Sequence, residues 1–274
     1  MAHPPAGLVR ALSADGRLDR PLGPGRVLAV HRRACTLETD AGDLITLADP
    51  GLGNGPDAIL VAPGRWPAGA EFRPDGPARL RFDSGPTLDW AESPRWSAED
   101  SAPAAPPRCD PREALIGWLG AAAVADGLLP VLLGRPAAAP HQRALAAAAR
   151  PLLAALPDPA AARGLVGLGP GLTPAGDDLL AGMLLALYYA RHPALPALAA
   201  ALDRPATTRL GAALIGWALH GRAAEHTLVS LRALFSQPFE QASRHLPPAL
   251  ARGATSGADT LAGIAIGLRI VFQD

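Results

Sequence analysis

The sequence predicts an α+β protein, with a small antiparallel β barrel or sandwich followed by an all-helical part. Three observations carry this. The first hundred residues hold only 15 of the 59 alanines and break into short runs between glycines and prolines. The remainder is rich in alanine and leucine at helical spacing. Between them, residues 91–109 (AESPRWSAEDSAPAAPPRC) read as a Pro/Ser/Ala linker. The expected division is a β-rich domain over 1–90, a linker over 91–109 and a helical domain with glycine-rich loops over 110–274.

In the β part, RVLAVH (26–31) and ACTLET (34–39) are strand-like, with β-branched residues. The turn Asp40-Ala41-Gly42-Asp43 returns the chain into LITL (44–47) as a hairpin partner. Residues 58–61 and 79–82 are further strands between Gly/Pro clusters. Trp90 and Trp96 flank the linker, where they are expected to pack the barrel onto the helices.

Helices begin at Asp110-Pro111-Arg112-Glu113, an Asp cap followed by Pro at the first helical position. Leu115, Ile116, Trp118 and Leu119 supply its apolar face, and Gly127 can end it. Further helices are expected near 141–156, 174–191, 207–220, 225–236 and 256–270, with Pro151 kinking or splitting the first of these.

All 25 basic residues are arginine, and the acids are 18 Asp against 7 Glu. The absence of lysine excludes Schiff-base chemistry, lysine-linked pyridoxal phosphate and a Walker-A phosphate loop. The formal net charge is zero and no polybasic run is present, which argues against nucleic acid and anionic membranes as partners. The longest apolar runs, 114–125 and 179–190, are about a dozen residues, short of the roughly 20 of a bilayer span. Residues 1–5 lack a basic region leading into an apolar core, so a cytoplasmic location is expected. Cys35 and Cys109 alone make neither a disulfide framework nor a structural zinc site.

The most informative segment is GLGPGLTPAGDD (167–178). Alternating glycines lead through Thr173-Pro174, read as N-cap and first helical residue, into an apolar helix. Such a loop presents backbone N–H groups and the positive end of a helix, a combination that binds phosphate. The GxGxG spacing, interrupted by Pro170, is not a dinucleotide fingerprint, so neither a nicotinamide nor a flavin is expected. The structural alternative is a tight turn between packed helices with an ordinary cap. Asp177 and Asp178 would repel an anion unless a divalent cation such as Mg²⁺ lay between them, since Mg²⁺ takes one or two carboxylates plus phosphate oxygens.

A second segment, GATSGADTLAG (253–263), repeats this grammar. Gly176–Gly182 and Gly257–Gly263 align as G-x-D-x-L-A-G, which makes Asp178 and Asp259 equivalent. Gly182 with Ala186, and Gly263 with Gly267, stand four apart, as in closely crossing helices. Two helices crossing tightly, or two helix starts converging on one polar pocket, need the same geometry.

These residues nominate Asp178, Asp259 and His226 as catalytic groups. Gly167, Gly169, Gly171, Thr173, Gly176, Thr208, Thr255, Ser256 and Gly257 are nominated for anion binding, and Asp177, Asp178 and Asp259 for Mg²⁺. For His226 as a general base, with Arg222 or Arg209 as oxyanion partner, the competing reading is a surface or capping role.

In this order and near the end of a chain of this length, GLGPGLTPAGDD and GATSGADTLAGIAIGL (253–268) resemble the family of the H subunit of oxamate carbamoyltransferase, the AllH-like proteins, otherwise described as a domain of unknown function. With the Thr207-Thr208 helix the likeness covers about the last 110 residues; the β part fits loosely, through its hairpin and the Asp83…Trp90 region. Ala175 stands where many relatives have Ser. The resemblance implies a place in anaerobic allantoin breakdown, a part of purine catabolism, in a complex with other carbamoyltransferase subunits. There oxalurate and phosphate are interconverted with oxamate and carbamoyl phosphate. The resemblance carries over no catalytic residues. The expected function is thus a transferase subunit holding a small anionic substrate. The alternatives are a non-catalytic scaffold subunit and an anion-binding regulatory protein.

Overall fold

A computed structural model describes residues 7–64, 66–202 and 206–273. Residues 1–5, read above for a leader, lie outside the described residues. The chain divides after residue 100 into two units, taken in turn.

The first unit holds ten strands: β1 (Leu8–Arg10), β2 (Ser13–Asp15), β3 (Gly25–Val30), β4 (Ala34–Thr39), β5 (Leu44–Ala48), β6 (Ala58–Leu60), β7 (Glu71–Pro74), β8 (Arg79–Phe82), β9 (Thr87–Asp89) and β10 (Arg95–Trp96). They form one sheet in the order β1-β9-β8-β7-β3-β4-β5-β6-β2-β10. The predicted hairpin is present, with Leu37 opposite Ile45, and β3 pairs antiparallel with β4, Val27 opposite Leu37. Consecutive residues Ala11 and Leu12 donate to Asp89 O and Leu60 O, at opposite ends of the sheet. A link of two residues reaches only about 10 Å, so the sheet curls until its ends approach.

The expectation of an antiparallel sheet is corrected: the sheet is mixed. β1 runs parallel to β9, β5 to β6 and β10 to β2. The β5–β6 pair needs a crossover, and the segment after β5 makes it through a 3₁₀ turn at Pro50–Leu52 and left-handed Gly53 and Asp57. Asp15 holds this return, accepting from Asp57 N at 2.7 Å and Arg17 N at 3.1 Å. The other parallel pairs join residues about eighty apart, a separation no hairpin spacing shows.

Leu18, Leu37, Ile45, Ile59, Phe72, Leu80 and Leu88 fill the inside of the curl. Trp90 is 1% exposed within this same core. The segment expected as a linker carries β10 and the short helix α1 (Ala98–Ser101), with only its later part irregular.

The second unit continues with α2 (Arg112–Gly120), α3 (Leu129–Leu132), α4 (Pro140–Ala155), α5 (Pro159–Leu165), α6 (Ala175–Ala190), α7 (Leu195–Ala201), α8 (Arg209–Leu219), α9 (Glu225–Ser236), α10 (Phe239–Ala242), α11 (Leu246–Leu250) and α12 (Ser256–Val271). The cap of α2 is Pro111, with Arg112 the first helical residue, one position later than the sequence reading, and Asp110 accepts the Arg112 N–H at 3.0 Å from just before the cap. That helix ends at Gly120, not Gly127. Pro151 does not split α4. The carbonyl it leaves unbonded, that of Ala147, lies on the exposed face where water can serve it.

α6 and α12 are buried nearly all round, which marks central helices rather than surface ones. They cross at Gly182 and Gly263. A Cβ on Gly182 would lie 1.9 Å from Thr260 O, and one on Gly263 would lie 1.9 Å from Leu179 O. The two helices thus treat each other identically about a local pseudo-two-fold, and the crossing sets their N-termini side by side.

Candidate functional site

The loop before α6 turns on three glycines with left-handed φ, Gly167 (70°), Gly169 (114°) and Gly171 (102°). The cap of α6 is Pro174, with Ala175 the first helical residue, one position later than the sequence reading. Thr173, freed from capping, reaches across to α12, its Oγ1 3.0 Å from Ser256 Oγ. This hydroxyl pair joins the two motifs directly.

Asp178 and Asp259 each occupy the fourth position of their helix. The sequence alignment of the two motifs is therefore also a structural equivalence. Asp178 is 3% exposed and Asp259 is fully buried. The Ser256 and Thr173 hydroxyls beside Asp178 favour its charged form. Asp259 Oδ1 accepts the Leu128 and Leu129 N–H groups at 2.6 and 3.0 Å, capping α3 from 130 residues away, and Thr255 adds its hydroxyl. The Oδ2 atoms of both carboxyls are buried without a hydrogen-bond partner.

Burial dominates the electrostatics. It pushes Asp178 up to about 8, against the pull of the Ser256 and Thr173 hydroxyls and with the push of the Asp259 and Asp177 charges. It pushes Asp259 up to about 6 against its three hydrogen bonds. The Arg252 guanidinium, just before the second motif, has its pKa lowered by burial and lies in the field of Asp178.

Asp177 has a different task. Its Oδ1 accepts the Gly167 N–H at 2.8 Å and its Oδ2 the Thr207 hydroxyl at 2.5 Å, tying the glycine loop to the start of α8. A Cβ on Gly211 would fall 2.2 Å from Asp177 Oδ2, so glycine there admits the carboxylate. Burial raises the pKa of Asp177 as well, against these two hydrogen bonds. Among the described residues no group of three or more His, Cys, Asp or Glu is arranged to hold a metal.

Several nominated donors already serve the fold. Gly167 N–H is taken by Asp177, Gly176 N–H by Leu168 O and Gly257 N–H by Arg252 O. Thr208 caps α8, accepting from Gly211 N at 2.9 Å and donating to Leu172 O. His226 stands apart from the two motifs in sequence, half-buried in the first turn of α9, with its carbonyl accepting the Ser230 hydroxyl.

Sequence reasoning missed Arg252 and the Gly127–Leu129 loop. Gln142, 2% exposed, grips Gly127 from both sides, donating to its O at 2.6 Å and accepting from its N at 3.2 Å. Arg252 had a legible signal, since it abuts Gly253. The bond from Leu128 to Asp259 had none, because nothing local marks it.

The model of the family described as oxamate carbamoyltransferase subunit AllH matches residues 165–268, and that of the AllH family N-terminal domain matches residues 9–89. The chain belongs to the AllH family. No solved structure matches it. The AllH match opens at the last residue of α5 and contains both helix starts, Arg252, and Asp177, Asp178 and Asp259. The AllH N-terminal match covers β2 to β9 and β1 from Val9, leaving out β10. No helix of the described residues is long and apolar enough to cross a membrane.

Proposed function

We propose that the chain is a subunit of a carbamoyltransferase that interconverts oxalurate and phosphate with oxamate and carbamoyl phosphate, as in allantoin degradation. Its two glycine–hydroxyl–aspartate helix starts take the phosphate-type anion. The observation that supports this reading best is the Thr173–Ser256 hydroxyl pair, which joins both motifs inside the stretch that matches the AllH model. The backbone N–H groups of Gly169, Gly171, Thr173, Thr255 and Ser256 supply hydrogen-bond donors, and the ends of α6 and α12 supply partial positive charge. Arg252 takes the part of the absent lysine. Carbamoyl transfer needs donors on a carbonyl and on phosphate oxygens, and this set carries both kinds. Asp178, held un-ionised near neutral pH by burial, is a further donor. Other carbamoyltransferase subunits are the expected partners.

Calorimetry of the purified chain with phosphate and with carbamoyl phosphate tests anion binding. Activity of the assembled complex carrying Asp178→Asn or Asp259→Asn tests catalysis. Binding together with a large loss of activity supports the reading; no binding and two fully active variants would refute it.

One observation favours a scaffold subunit instead. Gly182 and Gly263 are fully accounted for by the helix crossing, with no ligand required. On that reading the isolated chain binds neither anion, while substitutions at the crossing weaken assembly of the complex.

A further inference from the structure

A five-residue string occurs twice in the helical unit. Ala-Leu-Ile-Gly-Trp stands at 114–118 in α2 and at 213–217 in α8. α2 packs on α12 and α8 packs on α6, so each copy lies against one of the two central helices. Leu115 and Leu119 bury the inner side of α2, and Gly211, Ile215 and Ala218 that of α8. With about 100° of turn per residue, the opposite sides are then fixed. α2 turns Glu113, Gly117 and Gly120 outward, all exposed. α8 turns Arg209, Ala213, Gly216 and His220 outward, the first and last exposed and the middle two half-buried. A glycine inside a helix weakens it relative to alanine. Where the chain's own packing needs one, the cause is visible: a Cβ on Gly182, Gly263 or Gly267 would fall on the facing helix. At Gly117 and Gly216 nothing among the described residues lies within 4 Å of that position. The fold itself gives these two glycines no use. Yet each sits at the middle of an outward face, beside a half-buried tryptophan, Trp118 or Trp217.

We propose that these two faces pair between copies of this chain, α2 of one copy on α8 of the next, crossing antiparallel at Gly117 and Gly216. Charge selects this arrangement. The α8 face carries the bases Arg209 and His220, and the α2 face carries the Glu113 carboxylate, whose side chain is 86% exposed. α8 on α8 would set bases against bases, and α2 on α2 acid against acid. Only α2 on α8 brings opposite signs together. In the antiparallel crossing Glu113, one turn before Gly117, meets His220, one turn after Gly216, while Gly120 meets Ala213. Small residues at the crossing let the backbones approach, as Gly182 and Gly263 do inside the chain. The contact joins two different patches, so it is heterologous and leads to a ring or a chain of copies. α2 has nine residues and α8 eleven, which puts the contact at the small, transient end of protein interfaces. The inference is independent of the anion site.

Sedimentation of the full chain over about 1–200 μM, a range suited to a weak contact, tests this. Gly117→Arg and Gly216→Arg put a long side chain where the single chain has open space, so each variant is expected to fold. The expected result is concentration-dependent association of the wild-type chain, weakened about tenfold or more in either variant. Mixing the two variants in equal amounts leaves one sound interface, the α2 face of Gly216→Arg on the α8 face of Gly117→Arg. The mixture should therefore form a dimer and stop there. A wild-type chain that stays monomeric throughout overturns the proposal. So does association that survives Gly117→Arg, which means that α8 meets α8, and so does a mixture that stays monomeric. Glu113→Arg should weaken association and His220→Glu in the same chain should restore it; failure to restore overturns the antiparallel register. Should an arginine variant fail to fold, this charge exchange decides.

Discussion

Gly182 and Gly263 face each other's helices in the same way, each with its missing Cβ aimed at a backbone carbonyl 1.9 Å from where that atom would sit. The contact carbonyls, Thr260 O and Leu179 O, also occupy matching helical positions. This crossing sets the first turns of α6 and α12 side by side, where Thr173 meets Ser256, so the stability of the core and the geometry of the candidate site share one cause.

Gly182→Ala and Gly263→Ala are therefore expected to destabilise the protein by about 3 kcal/mol or more each, since an added methyl meets backbone that cannot rotate away. Urea denaturation checks this. The double variant should cost less than the sum, because one displacement of the helices relieves both clashes.

Asp177→Ala removes the acceptor for the Gly167 N–H and the Thr207 hydroxyl. A loss of about 1–3 kcal/mol is expected, seen as a lower denaturation midpoint. Hydrogen exchange should quicken at Gly167.

Gly127→Ala places a Cβ 2.5 Å from Asp259 Oδ2 at a residue with φ of 85°. Strain and clash act together, so a loss above about 2 kcal/mol is expected. Asp259→Ala should expose the Leu128 and Leu129 N–H groups to faster exchange while leaving exchange in the β unit unaltered. Mass-detected hydrogen exchange reads both outcomes.

Stability should depend on pH in chelated protein. Asp178 and Asp259 titrate near 8 and 6 in the fold, against an ordinary value of 3.8. Between about pH 4 and 8 the folded state thus binds more protons than the unfolded one. Their contribution to stability is full below about pH 4 and is lost as pH rises through 6 and then 8. The slope is about 1.4 kcal/mol per pH unit while one group differs between the states. Melting temperature followed from pH 4.5 to 8 should fall, and Asp178→Asn should flatten the upper part of the curve.

Much of the fold was legible because its signals are local. The turn between short β-branched runs marked the β4–β5 hairpin, and apolar periodicity placed α4, α6, α8, α9 and α12 within a residue or two. The parallel pairs β1–β9 and β10–β2 were illegible, since they join segments about eighty residues apart that share no turn. Thr173 was misread for a related reason. A Thr-Pro pair has the chemistry of a cap, and only the neighbouring helix shows that its hydroxyl is used by Ser256.

By itself the sequence determined the two motifs, their register and the equivalence of Asp178 with Asp259, because helix spacing and glycine turns are properties of short segments. It also determined that no lysine neutralises an anion here. Only the tertiary structure decided which aspartate does what. Asp177 is satisfied by Gly167 and Thr207, whereas Asp178 and Asp259 each keep a bare buried oxygen. That difference arises from which helix packs over which carboxylate, and it comes into being only when α6, α8, α12 and the Gly127–Leu129 loop close around one another.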